Sequence, residues 1–369
     1  MATPFTPTLD SGRARRTYGI VRALAEHGPV DVVFGAFGGT APDAAYRGVP
    51  GVELHRVDRP GTAARLPAYL RARAAGVPGE LARGVWPGLG QETRRLAAED
   101  SAVRVVADGP VAAAALLGLA RHRAVVYSAH NLESGFRHRL SESRLSRSGL
   151  ERFERRLLRR FHESWMVSEA DMRGARELEA GARLRLVPNV VDVAAIEPLP
   201  PRSGQRGVLF LADMRYEPNR LAAGFLLGDV MPHAWTAAPD VTLTVAGIGS
   251  DELSHPDSRV TFAGYVDEVG PLYAAAGCAA VPLLEGGGSP LKFVEALAYR
   301  MPVVATARAA AGLTARPGEE YFEGGDGGES FAAAVLEGLE PEPASAVAAA
   351  GRRLAEREYS IEALARLLA

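Results

Sequence analysis

Residues 285–306 read EGGGSPLKFVEALAYRMPVVAT, three glycines followed by the pattern of a short helix and a strand. Glycine has no Cβ atom, so the backbone of this loop can turn sharply and approach a ligand closely. Ser289 is predicted to be the N-cap of the helix and Pro290 its first residue. The helix is expected to end before Pro302, and residues 303–305 are expected to form a buried strand.

A glycine loop that leads into a helix N-terminus is a typical anion site, because free N–H groups and the positive end of the helix dipole point at it. Lys292 adds a positive charge there, and it is the only lysine among the 42 Lys and Arg residues. Its ammonium is a compact point charge, whereas arginine presents a rigid fork. A single lysine must fall somewhere, so its position indicates a functional anion site only together with the glycine loop and Glu295.

The composition is typical of a soluble globular protein, and the length of 369 residues suggests two domains. A net charge of −2 argues against a dedicated nucleic-acid-binding protein. Cys278 is the single cysteine, which excludes an intrachain disulfide and a cysteine metal cluster and fits a reducing compartment. No apolar stretch approaches about 18 residues, and the N-terminus lacks the apolar core of a signal peptide. We therefore expect a cytoplasmic protein without a transmembrane helix.

Strand and helix patterns alternate along the chain on both sides of a proline-rich segment at 195–206. Such alternation predicts parallel sheets with helices on both faces. The expected fold class is α/β, with two Rossmann-like, doubly wound domains that face each other across a central cleft. We expect an N-terminal domain over 1–198, a C-terminal domain over 199–352, and a helix over 353–369 that packs back on the first domain.

Two features of the first half are candidates for function. His130 directly follows a predicted strand over 124–128, and ligands in parallel α/β sheets bind beyond the carboxyl ends of strands. A histidine that merely closes a strand end is an equal alternative. Residues 137–160 hold nine arginines and three glutamates. They form either a surface for an anionic acceptor or lipid, or a solvated helix with Glu–Arg pairs, and we favour the second interpretation.

Several short motifs occur in order along the chain: residues 7–12, 129–131 (AHN), 187–192 (VPNVVD), 214–219 (MRYEPN), 245–249 (VAGIG), 260–265 (VTFAGY) and 285–306. Together they resemble the motifs of glycosyltransferases of family GT4, which have the GT-B fold, and they span nearly the whole chain. The resemblance implies a retaining enzyme that moves a sugar from a nucleoside-diphosphate sugar to an acceptor hydroxyl. It places the donor mainly on the second domain and the acceptor on the first.

The resemblance also implies which residues bind the donor. Lys292 pairs with the diphosphate, and Glu295 hydrogen-bonds the ribose hydroxyls. Gly288 and Ser289 offer N–H groups to phosphate, and Tyr265 lies near the base. The other donor-binding residues implied in this way are Gly287 and, from the first domain, Gly12.

His130, Glu285 and Lys292 are the catalytic residues that the resemblance implies. His130 contacts the donor sugar near its anomeric carbon, and Glu285 faces the sugar. Lys292 and the helix N-terminus stabilise the negative charge that develops on the leaving phosphate, so neither a metal ion nor a cofactor is expected. The implied mechanism is front-face attack within an ion-pair-like transition state, with no covalent enzyme intermediate.

Three features depart from the family pattern. Nine residues rather than seven separate the two glutamates of the glycine-loop motif. Pro290 stands where relatives often carry arginine, so Arg215 or Arg220 is expected to assist Lys292. Arg300 stands where glycine is usual at the end of the helix. Because a left-handed conformation costs a non-glycine residue about 1–2 kcal/mol, we expect a different turn there.

Two other functions fit the same fold. A sugar-nucleotide epimerase or hydrolase would turn over the nucleotide sugar without an acceptor. A non-catalytic nucleotide-sugar-binding subunit would lack Lys292 or Glu295, and both are present. For the transferase, a UDP-sugar is the favoured donor, and the expected acceptor is a small molecule, a glycan or a natural product. No nucleic-acid partner is expected, and peripheral contact with a membrane stays open.

Overall fold

The computed structural model describes residues 1–36, 40–58, 60–100, 103–135, 144–285 and 289–369. The chain divides into two compact units. The first comprises Met1–Pro188 and Leu364–Ala369, and the second comprises Asn189–Ala363. Within the described residues, no helix is both long and apolar enough to cross a membrane.

Seven parallel strands of the described residues form the sheet of the first unit, in the order β3-β2-β1-β4-β5-β6-β7. They are β1 (Ala2–Thr3), β2 (Val30–Ala36), β3 (Val52–Asp58), β4 (Val105–Asp108), β5 (Val125–Ser128), β6 (Glu163–Met166) and β7 (Leu184–Leu186). The first strand has only two residues, yet it lies in the middle of the sheet, where Ala2 pairs with Val33 and Ala107. Every residue of β4 and β5 is buried, as expected for parallel strands covered on both faces.

The helices of the first unit lie between these strands. They are α1 (Gly12–Ala25), α2 (Ala44–Arg47), α3 (Thr62–Ala74), α4 (Gly79–Ala82), α5 (Pro87–Glu99), α6 (Gly109–Leu116), α7 (Arg144–Arg160) and α8 (Glu169–Leu178). Ser11 caps α1 by accepting a hydrogen bond from the backbone N–H of Ala14 at 3.3 Å. Pro67 lies inside α3 without ending the helix, and Pro87 begins α5.

The basic segment forms α7, and its apolar residues Leu150, Phe153, Leu157 and Leu158 are buried. This confirms the predicted apolar face of an amphipathic helix. Glu154 departs from the expected Glu–Arg pairing, because its side chain is buried and accepts hydrogen bonds from the backbone of another segment.

The last helix, α16 (Ile361–Leu368), ends within the first unit. Three side chains of that unit donate hydrogen bonds to its carbonyl groups. His27 donates to Ala365 at 2.8 Å, Arg104 to Leu368 at 2.9 Å and Arg185 to Leu367 at 3.0 Å. The C-terminal residues are therefore part of the first unit's structure.

The second unit has a sheet of six parallel strands among the described residues, in the order β10-β9-β8-β11-β12-β13. The strands are β8 (Gly207–Leu211), β9 (Thr242–Ala246), β10 (Val260–Gly264), β11 (Cys278–Val281), β12 (Val303–Thr306) and β13 (Phe322–Gly324). The helices are α9 (Glu217–Phe225), α10 (Met231–Ala237), α11 (Gly270–Ala275), α12 (Leu291–Ala298), α13 (Ala307–Ala310), α14 (Gly328–Gly338) and α15 (Pro341–Glu358). Buried side chains of α12 and α14 pack with the central strands in one apolar core.

Helix α12 differs from its prediction at both ends. It begins at Leu291, with Pro290 in the extended cap position, so the prediction that Ser289 is the N-cap is wrong. Arg300 adopts the left-handed conformation with φ of 59°. The N–H of Arg300 bonds to the carbonyl of Leu297 and that of Met301 to Ala296, both at 2.9 Å, which is a Schellman motif. The expectation of a different turn is therefore wrong, and the helix ends in the left-handed turn that glycine usually forms at this position.

Replacing Arg300 with glycine is expected to stabilise the protein by about 1 kcal/mol, because glycine adopts this conformation without a Cβ clash. Thermal or chemical unfolding of the full chain measures the effect. Arg300→Ala is the matched control, since it removes the guanidinium and keeps the Cβ atom. Equal stabilisation by both substitutions would show that the guanidinium, and not backbone strain, is responsible.

Candidate active site

Lys292 lies in the first turn of α12, and its ammonium is held against two residues of neighbouring elements. The Nζ atom donates a hydrogen bond to Oδ1 of Asn219 at 2.5 Å and lies 5.0 Å from the centroid of the Phe210 ring. Asn219 is itself fixed, because its Nδ2 donates to the carbonyl of Asp213 at 2.8 Å. Burial lowers the pKa of Lys292 to about 7, and the negative charge of Asp213 opposes that shift. The site thus holds a cation that is poorly compensated by the protein.

The two arginines expected to assist Lys292 lie in different surroundings. Arg215 binds Asp213 with two nitrogens, Nε at 2.9 Å from Oδ1 and NH2 at 2.7 Å from Oδ2. These bonds lower the pKa of Asp213. Arg220 is exposed, and its NH1 lies 3.8 Å from Glu217 on its own helix. Arg215 therefore binds Asp213, the carboxylate whose charge also acts on Lys292, whereas Arg220 forms an ion pair with Glu217 on the surface.

Ser289 and Glu295 flank Lys292 along the chain, and both are buried. The Ser289 hydroxyl has no hydrogen-bond partner among the residues that the structure describes. Such a buried hydroxyl costs about 1–3 kcal/mol until a polar group satisfies it. Glu295 accepts a hydrogen bond from the hydroxyl of Tyr273 at 3.5 Å. A polar ligand at the start of α12 could therefore satisfy this hydroxyl, which precedes Lys292 by three residues in the chain.

The structure gives less detail on the other candidate donor-binding and catalytic residues of the second unit. Gly287 and Gly288 lie outside the described residues. Glu285 is half-buried and follows β11. Tyr265 follows β10, the edge strand, and 64% of its surface is exposed. The structure thus places Lys292 against Asn219 and Phe210, and it leaves the Tyr265 ring on the surface.

In the first unit, His130 follows β5 and forms a hydrogen bond with Asp108, at the end of the neighbouring strand β4. The distance between Nε2 of His130 and Oδ1 of Asp108 is 2.7 Å, and Thr17 donates to the other carboxylate oxygen at 2.8 Å. Burial alone would raise the pKa of Asp108, but the charge and hydrogen bonds of His130, Thr17 and Thr3 bring it below its ordinary value. Asp108 is therefore ionised and orients the imidazole.

Sequence reasoning missed Asp108. A signal existed, because Asp108 directly follows a buried apolar strand and precedes Gly109, as site residues in parallel sheets often do. Gly109 has φ of +77°, and a Cβ atom there would lie 3.0 Å from Cε1 and 3.2 Å from Nδ1 of His130. The absence of a side chain at 109 thus leaves room for the histidine ring.

A cavity of about 190 Å³ in the first unit adjoins this pair. Its lining includes Asp108 and Thr17, together with Ser11 and Arg13 on either side of Gly12, which is the first residue of α1. Tyr46 also lines it, and the buried Tyr46 hydroxyl has no hydrogen-bond partner among the described residues. Gly12 and the Asp108–His130 pair therefore belong to one region of the first unit.

Two parallel-sheet α/β units with candidate ligand residues at the carboxyl ends of their strands define the GT-B class of glycosyltransferases. The chain belongs to the glycosyltransferase family described by two models. Residues 205–340 match the model for glycosyl transferases group 1, and residues 11–190 match that for the glycosyl transferase 4-like domain. The predicted family, the GT-B fold class and the prediction of a sugar-transferring enzyme are confirmed.

Solved structures with this fold include HepE from Anabaena in complex with UDP and glucose, at 15% identity and a TM-score of 0.69 over 99% of this chain and 97% of HepE. Sucrose-phosphate synthase from Thermosynechococcus elongatus has 17% identity and a TM-score of 0.74, over 100% of this chain and 96% of the synthase. WaaG, a glycosyltransferase involved in lipopolysaccharide biosynthesis, has 15% identity and a TM-score of 0.60, over 99% of this chain and 96% of WaaG. No curated protein matches the sequence.

Gly109→Ala is expected to lower glycosyl transfer, because the new Cβ atom forces the His130 ring to shift and its hydrogen bond with Asp108 to change. The left-handed conformation of Gly109 also makes this substitution cost about 1–2 kcal/mol of stability. Gly51→Ala is the matched control. Gly51 has φ of +75°, but a Cβ atom there would come no closer than 3.7 Å to Pro29.

The two variants should lose similar stability, measured as melting temperature, and only Gly109→Ala should lose turnover. Equal loss of turnover in both, measured well below their melting temperatures, would mean that general destabilisation accounts for the effect.

Proposed function

We propose that the protein is a retaining glycosyltransferase that moves a sugar from a UDP-sugar to a hydroxyl of a small-molecule or glycan acceptor, without a divalent cation. The observation that carries this proposal is the cation of Lys292 in the first turn of α12, three residues after Ser289, whose buried hydroxyl is unsatisfied among the described residues. The fold of HepE, whose structures contain UDP and UDP-glucose, supports the choice of donor.

The donor diphosphate would bind at the start of α12. Cleavage of the bond between sugar and diphosphate builds negative charge on the leaving phosphate, and a fixed cation and helix N-terminus stabilise that charge where it develops. Asp213 is occupied by Arg215, so an incoming phosphate would be the stronger counter-charge for Lys292. Glu295 is assigned to the ribose hydroxyls and Glu285 to the sugar, as the family resemblance implies.

The acceptor would bind in the first unit, in the cavity that adjoins Asp108. Its lining of hydroxyl groups suits a polyhydroxylated ligand, since hydroxyls both donate and accept hydrogen bonds. His130 is proposed to act on the transferred sugar. An imidazole whose Nε2–H is donated to Asp108 has Nδ1 left for a second hydrogen bond. The acceptor hydroxyl would attack the anomeric carbon from the same face that the phosphate leaves, so the configuration of the sugar would be retained.

Lys292→Met is expected to lower turnover by at least about 100-fold, because losing one group that stabilises developing charge costs about 2.7–4 kcal/mol of barrier. The assay measures UDP release from a panel of UDP-sugars with and without candidate acceptors, in the presence of EDTA. The fold should persist, since removing a buried ammonium also removes its desolvation cost. Arg308→Ala, at an exposed position on α13, is the control variant that should keep wild-type turnover.

Other results of the same assay would favour other functions. UDP release that is independent of acceptor indicates a hydrolase, and a change of sugar configuration without UDP release indicates an epimerase. Binding of UDP-sugars without turnover under any condition indicates a binding subunit. Full activity of Lys292→Met, or activity that is lost with EDTA, would contradict the proposed role of Lys292.

The affinity for UDP should depend on pH between about 7 and 9. In the free protein, Lys292 loses its proton above pH 7, whereas a bound diphosphate raises its pKa again. Binding above pH 7 therefore takes up a proton, and the Kd should rise by up to about tenfold per pH unit. Calorimetry in buffers of different ionisation enthalpy measures the uptake. It should vanish in Lys292→Met, and uptake that persists there must come from another group.

The same shift affects the stability of the free protein. The folded-state pKa of Lys292 is depressed, so the unfolded chain binds more protons than the folded chain between about pH 7 and 10.5. The contribution of Lys292 to the free energy of unfolding therefore rises with pH across this window. Below pH 7, the folded protein bears the full cost of a partly buried cation.

A further inference from the structure

The loop that follows His130 is held by two buried carboxylates from neighbouring helices. Glu154 of α7 accepts from the backbone N–H of Glu133 with Oε1 at 2.6 Å and from that of Ser134 with Oε2 at 3.0 Å. Asp171 of α8 accepts from the N–H of Leu132 at 3.0 Å. Three consecutive N–H groups of one loop are thus bound by side chains, not by backbone.

Burying these carboxylates is costly. Glu154 is 2% exposed. Burial raises its pKa to about 7, the Ser134 hydroxyl and the N–H groups of Ser134 and Glu133 oppose that rise, and the neighbouring charge of Glu133 adds to it. A neutral residue would pack there at lower cost if filling space were its only task. The carboxylate at this position is therefore explained by its hydrogen bonds, which fix the backbone of residues 133 and 134.

A second observation shows how closely the loop is fitted. Gly174 on α8 has no side chain where Leu132 packs, and a Cβ atom at Gly174 would lie 2.6 Å from Cδ2 of Leu132. Helix α8 thus holds the loop by a hydrogen bond and by close packing. On the other side, Asp108 binds the His130 ring itself at 2.7 Å. The histidine is held at its ring, and its loop is held at its backbone.

We propose that Glu154 is a positioning residue for glycosyl transfer, which sets the place of His130 by binding the N–H groups of Glu133 and Ser134. The inference rests on the proposed role of His130 at the transferred sugar. Glu154 does not touch the substrate in this account. It acts through the backbone that runs from residue 130 to residue 134, where a displacement on the order of 1 Å costs a reaction about 100-fold.

The two carboxylates provide a matched pair of substitutions. Each carboxylate oxygen of Glu154 accepts a backbone N–H, and the Ser134 hydroxyl also bonds to this carboxylate. In Glu154→Gln the new amide nitrogen faces one of the two N–H donors, whichever way the amide is turned, so that hydrogen bond is lost. Asp171 binds one N–H and the hydroxyl of Ser168, the latter at 2.6 Å. A hydroxyl can accept as well as donate, so Asp171→Asn can keep both contacts. Each substitution removes one buried negative charge, but only the first must release part of the loop.

The experiment measures kcat and KM of both variants with a UDP-sugar and acceptor, in the wild-type background and in His130→Ala. Glu154→Gln should lower kcat by about 10–100-fold with little change of KM for the donor. Asp171→Asn should stay within about threefold of wild type. In the His130→Ala background, Glu154→Gln should have almost no further effect, because the residue that it positions is absent.

Other outcomes would overturn the proposal. Wild-type kcat in Glu154→Gln, or an equal loss in both backgrounds, means that Glu154 does not act through His130. If Glu154→Gln does not fold, Glu154→Asp serves instead, since it keeps the charge and shortens the reach by one methylene. Wild-type kcat there also contradicts the proposal. Failure of the proposed function is distinguishable, because His130→Ala would then keep full turnover or the wild-type protein would transfer no sugar.

Discussion

The ammonium of Lys292 lies at the start of a helix, against an amide oxygen and an aromatic ring, where the protein supplies little negative charge. A partly buried cation in such surroundings is unfavourable in the free protein, and its lowered pKa expresses that cost. Asp213, the carboxylate whose charge acts on Lys292, is bound by two nitrogens of Arg215. The second unit therefore holds a charge that an anionic ligand would stabilise, and the chemistry proposed for this enzyme depends on that imbalance.

Two buried carboxylates of the first unit have the opposite arrangement, because hydrogen-bond donors already bind them. Asp108 is bound by His130 and Thr17, and Glu154 by two backbone N–H groups. Groups satisfied in this way fix the position of a ring and a loop, whereas they gain little from a charged ligand. The physical difference between the units is that the second has an unsatisfied cation and the first has an ordered polar frame.

The sequence predicted the features that depend on local pattern. Both parallel sheets, the strand predicted at 303–305 and the placement of Lys292 in the first turn of a helix follow from hydrophobic period, glycine and proline. It failed where tertiary contacts decide. Arg300 adopts the left-handed conformation because the Schellman hydrogen bonds and the buried Met301 fix the helix end despite the cost. Glu154 could not be found by local pattern, since its partners lie 20 and 21 residues away. The position of Asp108 at a strand end was visible in the sequence, but its pairing with His130, 22 residues away, was not.

The paired charges of the first unit also constrain the acceptor. A cationic acceptor in the proposed cavity would have to compete with His130 for the Asp108 carboxylate, and an anionic acceptor would lie near that ionised carboxylate, with Arg13 of the lining as the opposing charge. A neutral hydroxyl has neither difficulty, because it can donate to an oxygen that is already partly satisfied and accept from a threonine or tyrosine. The difference between the two sites thus agrees with the proposed placement of a charged donor at Lys292 and a hydroxyl-bearing acceptor near Asp108.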